Sequence, residues 1–520
     1  MKKTRMSKVI TGTILGLDAE IVTVETDLAV GLPAFNLVGL PGSAVRESKD
    51  RVRSAIINSG LEFPLRRITV NLSPADARKE GSHFDLPIAV GIITSAAEKI
   101  DNEMFSKTAF FGELSLDGTI SRMDIAIAMV LSLQAKGITE MFIPKDNIYD
   151  LFNLPGVTYY PVEHLRDVIS HLLGERKIDG IIGNRKEGCL GDVKDSNFED
   201  FFDVKGQENI KRALLISVAG FHDILLEGSP GVGKSMLAKR AVGIMPPMTE
   251  IERREATIIH NIAGEIKTGD GLLATRPFRS PHHSATNGSI IGGGHRANPG
   301  ELSLAHRGIL FLDELPEFDR RTIDMLRQPL EDRYINLSRV GIKQKYPCNF
   351  LLIAAMNPCP CGYYLDDRHE CKCTETQRLR YIAKVSGPFI DRIDIYVKMN
   401  NVAYEEFESH SNNKKECMTS AEMKEKITRV WKMQAQRNSA ENMLFNGQLS
   451  GKILDDVCKM TDDAKQLLKQ AYEQYALSAR ARSKIIKVAR TIADLDTSET
   501  IKINHIAEAI AYRVDVRGNK

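Results

Sequence analysis

One short segment combines glycines, a lysine and a serine at the spacing of a phosphate-binding loop. Its glycines would let backbone N–H groups face phosphate oxygens, its lysine would reach the β- and γ-phosphates, and its serine would ligate Mg²⁺. The segment therefore predicts a binding site for ATP and magnesium. Its residues are Gly228, Ser229, Pro230, Gly231, Val232, Gly233, Lys234 and Ser235.

Two adjacent acids further along the chain could complete this site. The segment GILFLDE (308–314) ends in Asp313 and Glu314. Asp313 suits the outer coordination sphere of Mg²⁺, and Glu314 suits a base that orients water onto the γ-phosphate. A glutamate that activates water favours an ATPase over a kinase.

The phosphate-binding loop and the acid pair must be held near each other by strands of one sheet. Unbroken apolar runs precede the phosphate-binding loop (224–226) and the acid pair (309–312), and such runs are typical of buried parallel strands. A third run, NFLLIAAMNP (349–358), places Asn357 at its tip. The later segment GPFIDRID (387–394) carries Arg392.

Taken in this order, these features resemble the AAA+ ATPases. The resemblance implies that Asn357 is the sensor-1 residue, and that Arg392 is the arginine finger that completes the site of a neighbouring subunit. Residues 477–495 resemble the sensor-2 helix, with Arg480 as its arginine. The alternatives are an ordinary salt bridge from Arg392 to Asp391 or Asp394, and a solvated helix face for Arg480.

A glycine-rich insert, FRSPHHSATNGSIIGGGHRANPG (278–300), lies between the phosphate-binding loop and the acid pair. An insert at this place, with a β-hairpin ahead of sensor 1, resembles the magnesium-chelatase-like branch of AAA+ proteins. Residues 333–347 fit the hairpin, as two alternating runs around Val340-Gly341. In a hexameric ring both elements would face the central pore, where basic side chains would contact DNA phosphates. These side chains are Arg279, Arg296, Arg339, Lys343 and Lys345.

Two other interpretations of the insert stay open. Its histidines, at 282, 283 and 295, lack the spacing and the carboxylate company of a zinc enzyme. The glycines at 292–294 would also suit a plain linker.

The N-terminal third resembles the protease domain of Lon in outline, over residues 73–92 and 110–120. Where active Lon has its serine, this chain has His83, and Ser82 is one position off. The region of the lysine partner (121–131) contains no lysine. A Ser–Lys nucleophile cannot be built from these residues, so we expect this domain to be catalytically inactive.

An inactive Lon-like domain, a chelatase-like AAA+ core and a helical C-terminal domain together resemble the ComM (YifB) family over nearly the whole chain. The resemblance implies an ATP-dependent homo-hexameric DNA helicase that drives branch migration during DNA uptake and recombination. Single-stranded or branched DNA would be its partner.

Three other functions compete with that interpretation. A chelatase-type motor would remodel a protein partner without touching DNA; the Lon-like domain argues against it, because the chelatase motor subunit is expected to have no such domain. A protease would need the missing serine and lysine. A non-enzymatic regulator would need a damaged ATP site, and this one is intact.

Four cysteines make a C-x-C-x9-C-x-C pattern at Cys359, Cys361, Cys371 and Cys373. Four thiolates from two short loops can close a tetrahedral Zn²⁺ site, which we predict here. The usual spacing places two residues between paired cysteines, so free thiols in a loop are the alternative. His369 could also substitute for one ligand.

The composition is ordinary for a globular protein. Of the 520 residues, 42% are hydrophobic and 27% are charged, and the net charge of +2 means that any nucleic-acid surface must be local. No stretch approaches the roughly 20 apolar residues that span a bilayer. The basic N-terminus predicts a first strand rather than a signal peptide, and the clustered cysteines indicate a reducing compartment. We therefore expect a cytoplasmic protein without membrane contact.

The predicted fold class is α/β. A Lon-protease-like α/β domain (1–172) is followed by a linker (173–200). An AAA+ core with a parallel sheet and an insert in its second helix (201–400) comes next. A helical C-terminal lid domain that carries sensor 2 (401–520) completes the chain.

Overall fold

A computed structural model describes residues 5–75, 78–97, 105–183, 198–267, 269–294, 297–339, 342–364, 366–401, 418–438 and 445–514. They form two compact units. The first comprises Met1–Asp192 and Arg253–Leu273, and the second comprises Val193–Glu252 and Ala274–Lys520. The predicted α/β class is confirmed.

The first unit is built on an eight-stranded sheet with the order β10-β9-β8-β5-β1-β2-β4-β3. Strands β1 and β2 pair as an antiparallel hairpin, which Gly16 permits because its positive φ of 69° allows a tight turn. A separate short ladder pairs β6 with β7. The strands are β1 (Arg5–Leu15), β2 (Asp18–Ala29), β3 (Ala34–Val38), β4 (Arg67–Ser73), β5 (Thr108–Phe110), β6 (Glu113–Leu114), β7 (Ile120–Ser121), β8 (Glu140–Pro144), β9 (Thr158–Val162) and β10 (Ile181–Ile182).

Helices cover both faces of this sheet. Alternation along β2 sends Val22 and Val24 into one apolar core and Ile21 towards another. The helices are α1 (Ser43–Asn58), α2 (Asp85–Ala96), α3 (Ala126–Ala135), α4 (Ile148–Leu151) and α5 (Leu165–Leu173). Residues of α1, α2 and α5 fill the first core, and residues of α3 fill the second.

The second unit contains a five-stranded parallel sheet with the order β12-β15-β18-β11-β19. Because the strands are parallel, the loops that follow them all emerge at one edge. The strands of this unit are β11 (Ile224–Gly228), β12 (Phe278–Arg279), β13 (Gly292–Gly293), β14 (Asn298–Pro299), β15 (Ile309–Leu312), β16 (Tyr334–Arg339), β17 (Ile342–Pro347), β18 (Leu351–Met356) and β19 (Ile395–Met399).

The C-terminal part is helical, as predicted. Met423, Ile427 and Val430 lie on one face of the helix at 420–438 and are fully buried in a core shared with the parallel sheet. The remaining helices are α6 (Glu208–Gly220), α7 (Lys234–Ile244), α8 (Glu250–Ile262), α9 (Asn287–Ile291), α10 (Glu301–Leu304), α11 (Arg320–Met325), α12 (Arg327–Asp332), α13 (Glu375–Ile382), α14 (Gly387–Ile390), α15 (Ser420–Asn438), α16 (Gly451–Val457), α17 (Asp462–Gln474), α18 (Ala479–Leu495) and α19 (Ile503–Val514).

Residues 253–273, which include most of α8, pack within the first unit. Asn261 Oδ1 accepts a hydrogen bond from Ala128 N, 3.0 Å away, and Asn261 Nδ2 donates to Asp124 O at 2.6 Å. The Asn261 side chain thereby accepts a hydrogen bond from the first turn of α3, where backbone N–H groups have no acceptor within the helix. Ile258, Ile266 and Leu272 pack against the core that α3 fills.

Candidate functional site

The phosphate-binding loop joins β11 to α7, which is the strand–loop–helix setting that its pattern requires. All of β11 is buried, and the loop turns through Gly231 and Gly233, at φ 81° and 96°. A side chain disfavours such positive φ values, so glycine is needed at both turns. The backbone is thereby free to direct N–H groups towards a phosphate at the start of α7.

Lys234 is the first residue of α7, directly after the glycine turns, and is largely buried. Its Nζ donates to Gly228 O at 2.6 Å, to Ser229 O at 3.0 Å and to Asn357 Oδ1 at 3.0 Å. Burial lowers the pKa of the Lys234 ammonium, and the nearby carboxylates of Asp313 and Glu314 oppose that shift. The structure therefore brings the lysine and the predicted sensor-1 residue into direct contact.

The two magnesium candidates also meet. Ser235 Oγ donates to Asp313 Oδ2 at 2.5 Å, although the two residues are far apart in the sequence. A hydroxyl and a carboxylate are the hard oxygen ligands that Mg²⁺ prefers. This pair fits a magnesium ion bound beside the phosphates.

Glu314 follows Asp313 in a left-handed conformation, with φ 50°. Its Oε2 lies 3.5 Å from Nδ1 of His283, which belongs to the glycine-rich insert. The contact arises because β12 pairs with β15, with Phe278 opposite Ile309, so the residues that follow these two strands are neighbours. The sequence pattern raised His283 only as a candidate metal ligand and gave no sign of its contact with the predicted catalytic base.

Arg392 follows α14 and is engaged within its own chain. Its guanidinium donates to Arg327 O at 3.0 Å and to Pro388 O at 2.7 Å, and it pairs with Glu331 at 2.8 Å. The salt bridge is therefore to Glu331 and not to an adjacent aspartate. Arg480 lies exposed in the first turn of α18.

The predicted hairpin is present as β16 and β17, with Arg339 opposite Ile342. Lys343 and Lys345 are exposed on β17, and Lys345 Nζ lies 3.8 Å from the ring centroid of Tyr334. The side chain of Arg339 and the tip at 340–341 lie outside the described residues. Two lysines of the predicted DNA surface are thus available on the hairpin.

The insert packs against the hairpin. Strand β13 pairs with β14, and a Cβ added to Gly292 would lie 2.6 Å from Asn298 O and 3.1 Å from Leu337 Cδ1. Gly292 thus permits a close approach, a role that a plain linker would not need. Arg279 forms a bidentate pair with Glu301, at 2.7 and 2.8 Å, so its charge is already compensated in this state. Residues 295 and 296, with the predicted contact Arg296, lie outside the described residues.

The four cysteines of the C-x-C-x9-C-x-C pattern converge. The Sγ atoms of Cys359, Cys361 and Cys371 are 3.3, 3.7 and 3.6 Å apart, and all four Sγ atoms lie within 4.8 Å of one another. A tetrahedron with Zn–S bonds of about 2.3 Å has edges of about 3.8 Å, so the spacing fits zinc. His369 is outside this group, and its Nδ1 lies 3.3 Å from Asp366.

The N-terminal domain lacks the geometry of a Ser–Lys protease in its described residues. His83 is buried, its Nε2 contacts Gly12 O at 2.9 Å, and burial lowers its pKa to about 4. Ser82 Oγ donates to the Glu113 carboxylate rather than to a lysine. Helix α3, in the region of the Lon lysine, contains none.

Three family models match the chain. A model described as magnesium chelatase, subunit ChlI, covers residues 200–407, one described as subunit ChlI of Mg-chelatase covers 24–147, and one described as magnesium chelatase, subunit ChlI C-terminal, covers 417–513. Because a chelatase-subunit model matches residues 24–147, the N-terminal third does not separate this chain from chelatase subunits, contrary to the expectation from the sequence.

Full-length relatives are also found. The chain is 39% identical over 504 residues to competence protein ComM of Haemophilus influenzae, which covers 97% of this chain and 96% of the relative. It is 39% identical over 508 residues to YifB of Escherichia coli, with 98% and 97% covered. The magnesium-chelatase 67 kDa subunit of Heliobacterium mobile is 28% identical over 183 residues, which is 30% of this chain and 27% of that subunit.

None of the described helices is long and apolar enough to cross a bilayer.

Proposed function

Since the chain belongs to the ComM/YifB family, which is built from magnesium-chelatase-like AAA+ domains, we propose that it is an ATP-hydrolysing motor that acts on DNA. The observation that carries the proposal is the meeting of three loops at one sheet edge. Ser235 Oγ lies 2.5 Å from Asp313 Oδ2, and Lys234 Nζ lies 3.0 Å from Asn357 Oδ1. Separate strands deliver these groups to one point, as hydrolysis of a bound nucleotide requires.

Each residue has a distinct task in this proposal. Lys234 and the loop backbone bind the phosphates. Ser235 and Asp313 hold Mg²⁺, which neutralises phosphate charge when it is bound. Glu314 accepts a proton from the attacking water and orients it, and Asn357 positions the Lys234 ammonium.

The motor is proposed to be a homo-hexamer in which Arg392 acts on the site of the neighbouring subunit. To do so its guanidinium would have to exchange Glu331, 2.8 Å away, for the neighbour's phosphate. Arg480, exposed at the start of α18, is proposed as the sensor-2 arginine of the same assembly.

Mixed rings test the role of Arg392. Arg392→Ala should abolish hydrolysis, a loss of about 10³ or more. Mixing this variant with Glu314→Gln protein should restore some activity wherever a wild-type arginine meets a wild-type glutamate. No recovery in rings shown to be mixed would mean that Arg392 acts within its own subunit.

DNA is proposed as the substrate on two grounds. The relative in Haemophilus influenzae carries the name competence protein, and the chain offers a hairpin with exposed Lys343 and Lys345. Such charges suit contact with phosphates and carry no sequence information. We propose helicase or branch-migration activity on single-stranded or branched DNA, in DNA uptake and recombination.

The deciding experiment is ATP turnover with and without branched DNA. We expect stimulation that weakens steeply with salt. Replacing Lys343 and Lys345 by alanine should flatten the slope of log affinity against log salt by about 1.8, since each duplex phosphate contact contributes about 0.9. Replacing the exposed Lys432 and Lys469 is the matched control and should leave the slope unchanged. Turnover that is indifferent to DNA would reject a DNA motor.

A zinc ion is proposed for the four-cysteine cluster. The Sγ atoms of three of these cysteines lie 3.3 to 3.7 Å from one another, which suits a soft or borderline cation, and Zn²⁺ would supply a structural cross-link there rather than catalysis. Metal analysis should find one zinc per chain in protein purified without added zinc. Metal-free protein with four titratable thiols in the folded state would contradict this.

A chelatase-type motor that remodels a protein partner is the second candidate. The three matched family models favour it, because each is described by a magnesium-chelatase subunit. It predicts robust ATP hydrolysis that DNA does not stimulate. The DNA experiment therefore separates the two candidates.

A further inference from the structure

The four-cysteine cluster lies next to the phosphate-binding loop because the strands that lead into these two segments are neighbours in the parallel sheet. Strand β18 ends at Met356 and leads to Asn357 and then to Cys359, while its parallel neighbour β11 leads into the loop. Glu227 and Met356 are opposite each other in the register, so both chains leave the sheet at the same level. A cross-link among the cysteines therefore forms beside the nucleotide site.

The segment that carries the cysteines, residues 358–373, touches the phosphate-binding loop at Gly362. This glycine is buried, and its φ is 87°. A Cβ added there would lie 2.5 Å from Pro230 Cδ and 2.6 Å from Pro230 Cγ. Gly362 thus packs closely against Pro230 of the phosphate-binding loop.

A second link runs through Asp366, whose side chain is only 4% exposed. Its carboxylate accepts hydrogen bonds from Asn401 Nδ2 at 2.8 Å and from the backbone N–H groups of Arg368 and His369 at 2.8 and 3.0 Å. These bonds, together with the nearby Ser229 hydroxyl of the phosphate-binding loop, hold the pKa of Asp366 well below its usual range. One carboxylate therefore fixes the outer half of the cysteine segment beside the phosphate-binding loop.

The described residues of this segment form no helix or strand, and residues 367–370 are exposed. A loop of this length without regular structure has little to fix its conformation apart from cross-links. A metal held by two cysteines from each end would close the loop and hold Gly362 and Asp366 in position.

We propose that a metal ion bound by the four cysteines sets the affinity of the neighbouring phosphate-binding loop for ATP, through Gly362 and Asp366. The proposal rests on the ATP and zinc sites proposed above, and it adds a regulatory coupling between them. With the metal bound, Pro230 and Ser229 are supported and the backbone N–H groups keep the geometry that binds phosphate. Without it, the support relaxes and ATP binds less tightly.

The coupling has a reciprocal consequence. If the metal raises the affinity for ATP by some factor, ATP must raise the affinity for the metal by the same factor. Coupling between two sites of this kind is typically about 5- to 150-fold. A metal that only stabilised the fold would change the free energy of unfolding. In the folded protein it would leave the affinity for ATP unchanged, and ATP would leave the affinity for the metal unchanged.

The test uses the full chain, stripped with a chelator and reloaded with zinc. Binding of a fluorescent ATP analogue is measured in both forms, with metal content by mass spectrometry and folding by circular dichroism. We expect stripping to weaken nucleotide binding about tenfold, within the usual range of coupling, and reloading to restore it. The zinc affinity should rise by the same factor when the analogue is present.

Asp366→Asn breaks the link without touching a cysteine, and Asp367→Asn, at the exposed neighbouring position, is the matched control. The Asp366 variant should keep its zinc, bind the analogue weakly, and lose the response to stripping, whereas the control should behave as the wild type. Equal nucleotide affinity in stripped and reloaded folded wild-type protein would overturn the proposal, as would a full metal response in Asp366→Asn. Zinc-loaded wild type that binds no nucleotide would instead reject the proposed ATP site.

Discussion

Replacing His283 by alanine should release the Glu314 carboxylate and raise ATP turnover slightly. His283 Nδ1 lies 3.5 Å from Glu314 Oε2, and 35% of one side chain and 53% of the other are exposed. A pair solvated to this degree is worth about 1 kcal/mol or less. That free energy corresponds to at most about a fivefold change in rate, so we expect a rise of about two- to fivefold.

The assay is steady-state hydrolysis at saturating ATP over a range of ionic strength. Where the imidazole is protonated, salt screens the exposed pair, so the difference between the wild type and His283→Ala should shrink as salt is added. His282→Ala is the matched control, because the His282 ring lies 4.0 Å from the His283 ring, between centroids, but its Nδ1 contacts Ser284 Oγ at 2.7 Å. This control should leave turnover unchanged.

One result would refute this reasoning. A fall of about a hundredfold or more in His283→Ala is the size expected for a group that acts on the reacting water. Such a fall would make His283 a catalytic residue and not a restraint on Glu314. Glu314→Gln, assayed in parallel, sets the scale of a true loss of the base.

Three further predictions concern single residues. Lys234→Ala should abolish detectable ATP binding in calorimetric titration while the protein stays folded, because it removes the charge that meets the phosphates. Gly308→Ala should lower the free energy of unfolding by about 2 kcal/mol or more in urea titration, since its Cβ would lie 1.9 Å from a backbone oxygen, whereas Gly387→Ala, with nothing within 4 Å, should cost less than about 0.5 kcal/mol. Burial by itself would raise the pKa of Asp394, but the Lys484 ammonium, 2.5 Å away, holds it well below its usual range. The stability that the ionised Asp394 contributes is therefore complete above the unfolded pKa of about 3.9 and is lost as the pH falls below it, so Asp394→Asn should flatten the acid limb of stability against pH.

The convergence of the candidate nucleotide-site residues could be predicted because these residues obey local rules. The phosphate-binding loop has a fixed spacing, and Asp313 and Asn357 each follow an unbroken apolar run, so the parallel sheet brings them together. The contact between His283 and Glu314 was not predictable in the same way. It depends on β12, which has only two residues, and a strand this short shows no alternating pattern of apolar and polar residues by which it could be predicted.

The charged residues of the predicted DNA surface show a second limit of prediction from the sequence, namely that the partners of a charge are not visible in it. The sequence shows that Arg279 carries a positive charge. It does not show that Arg279 forms a bidentate pair with Glu301, because that pair depends on how the insert folds. Likewise, residues 253–262 belong to an amphipathic helix, but the amphipathic pattern alone does not say which core the helix covers. Burial partners at long range are set by tertiary packing, and a single sequence carries little record of them.

The packing of residues 253–273 within the first unit has a consequence for biosynthesis. During translation the N-terminal sheet emerges first, but the residues that complete one of its cores, Ile258, Ile266 and Leu272, are encoded after the phosphate-binding loop. Asn261, which hydrogen-bonds to the backbone at the first turn of α3, is translated together with these residues. The first unit therefore cannot finish folding until the ribosome has passed residue 273, and a fragment that ends in the preceding linker leaves an apolar face of α3 uncovered.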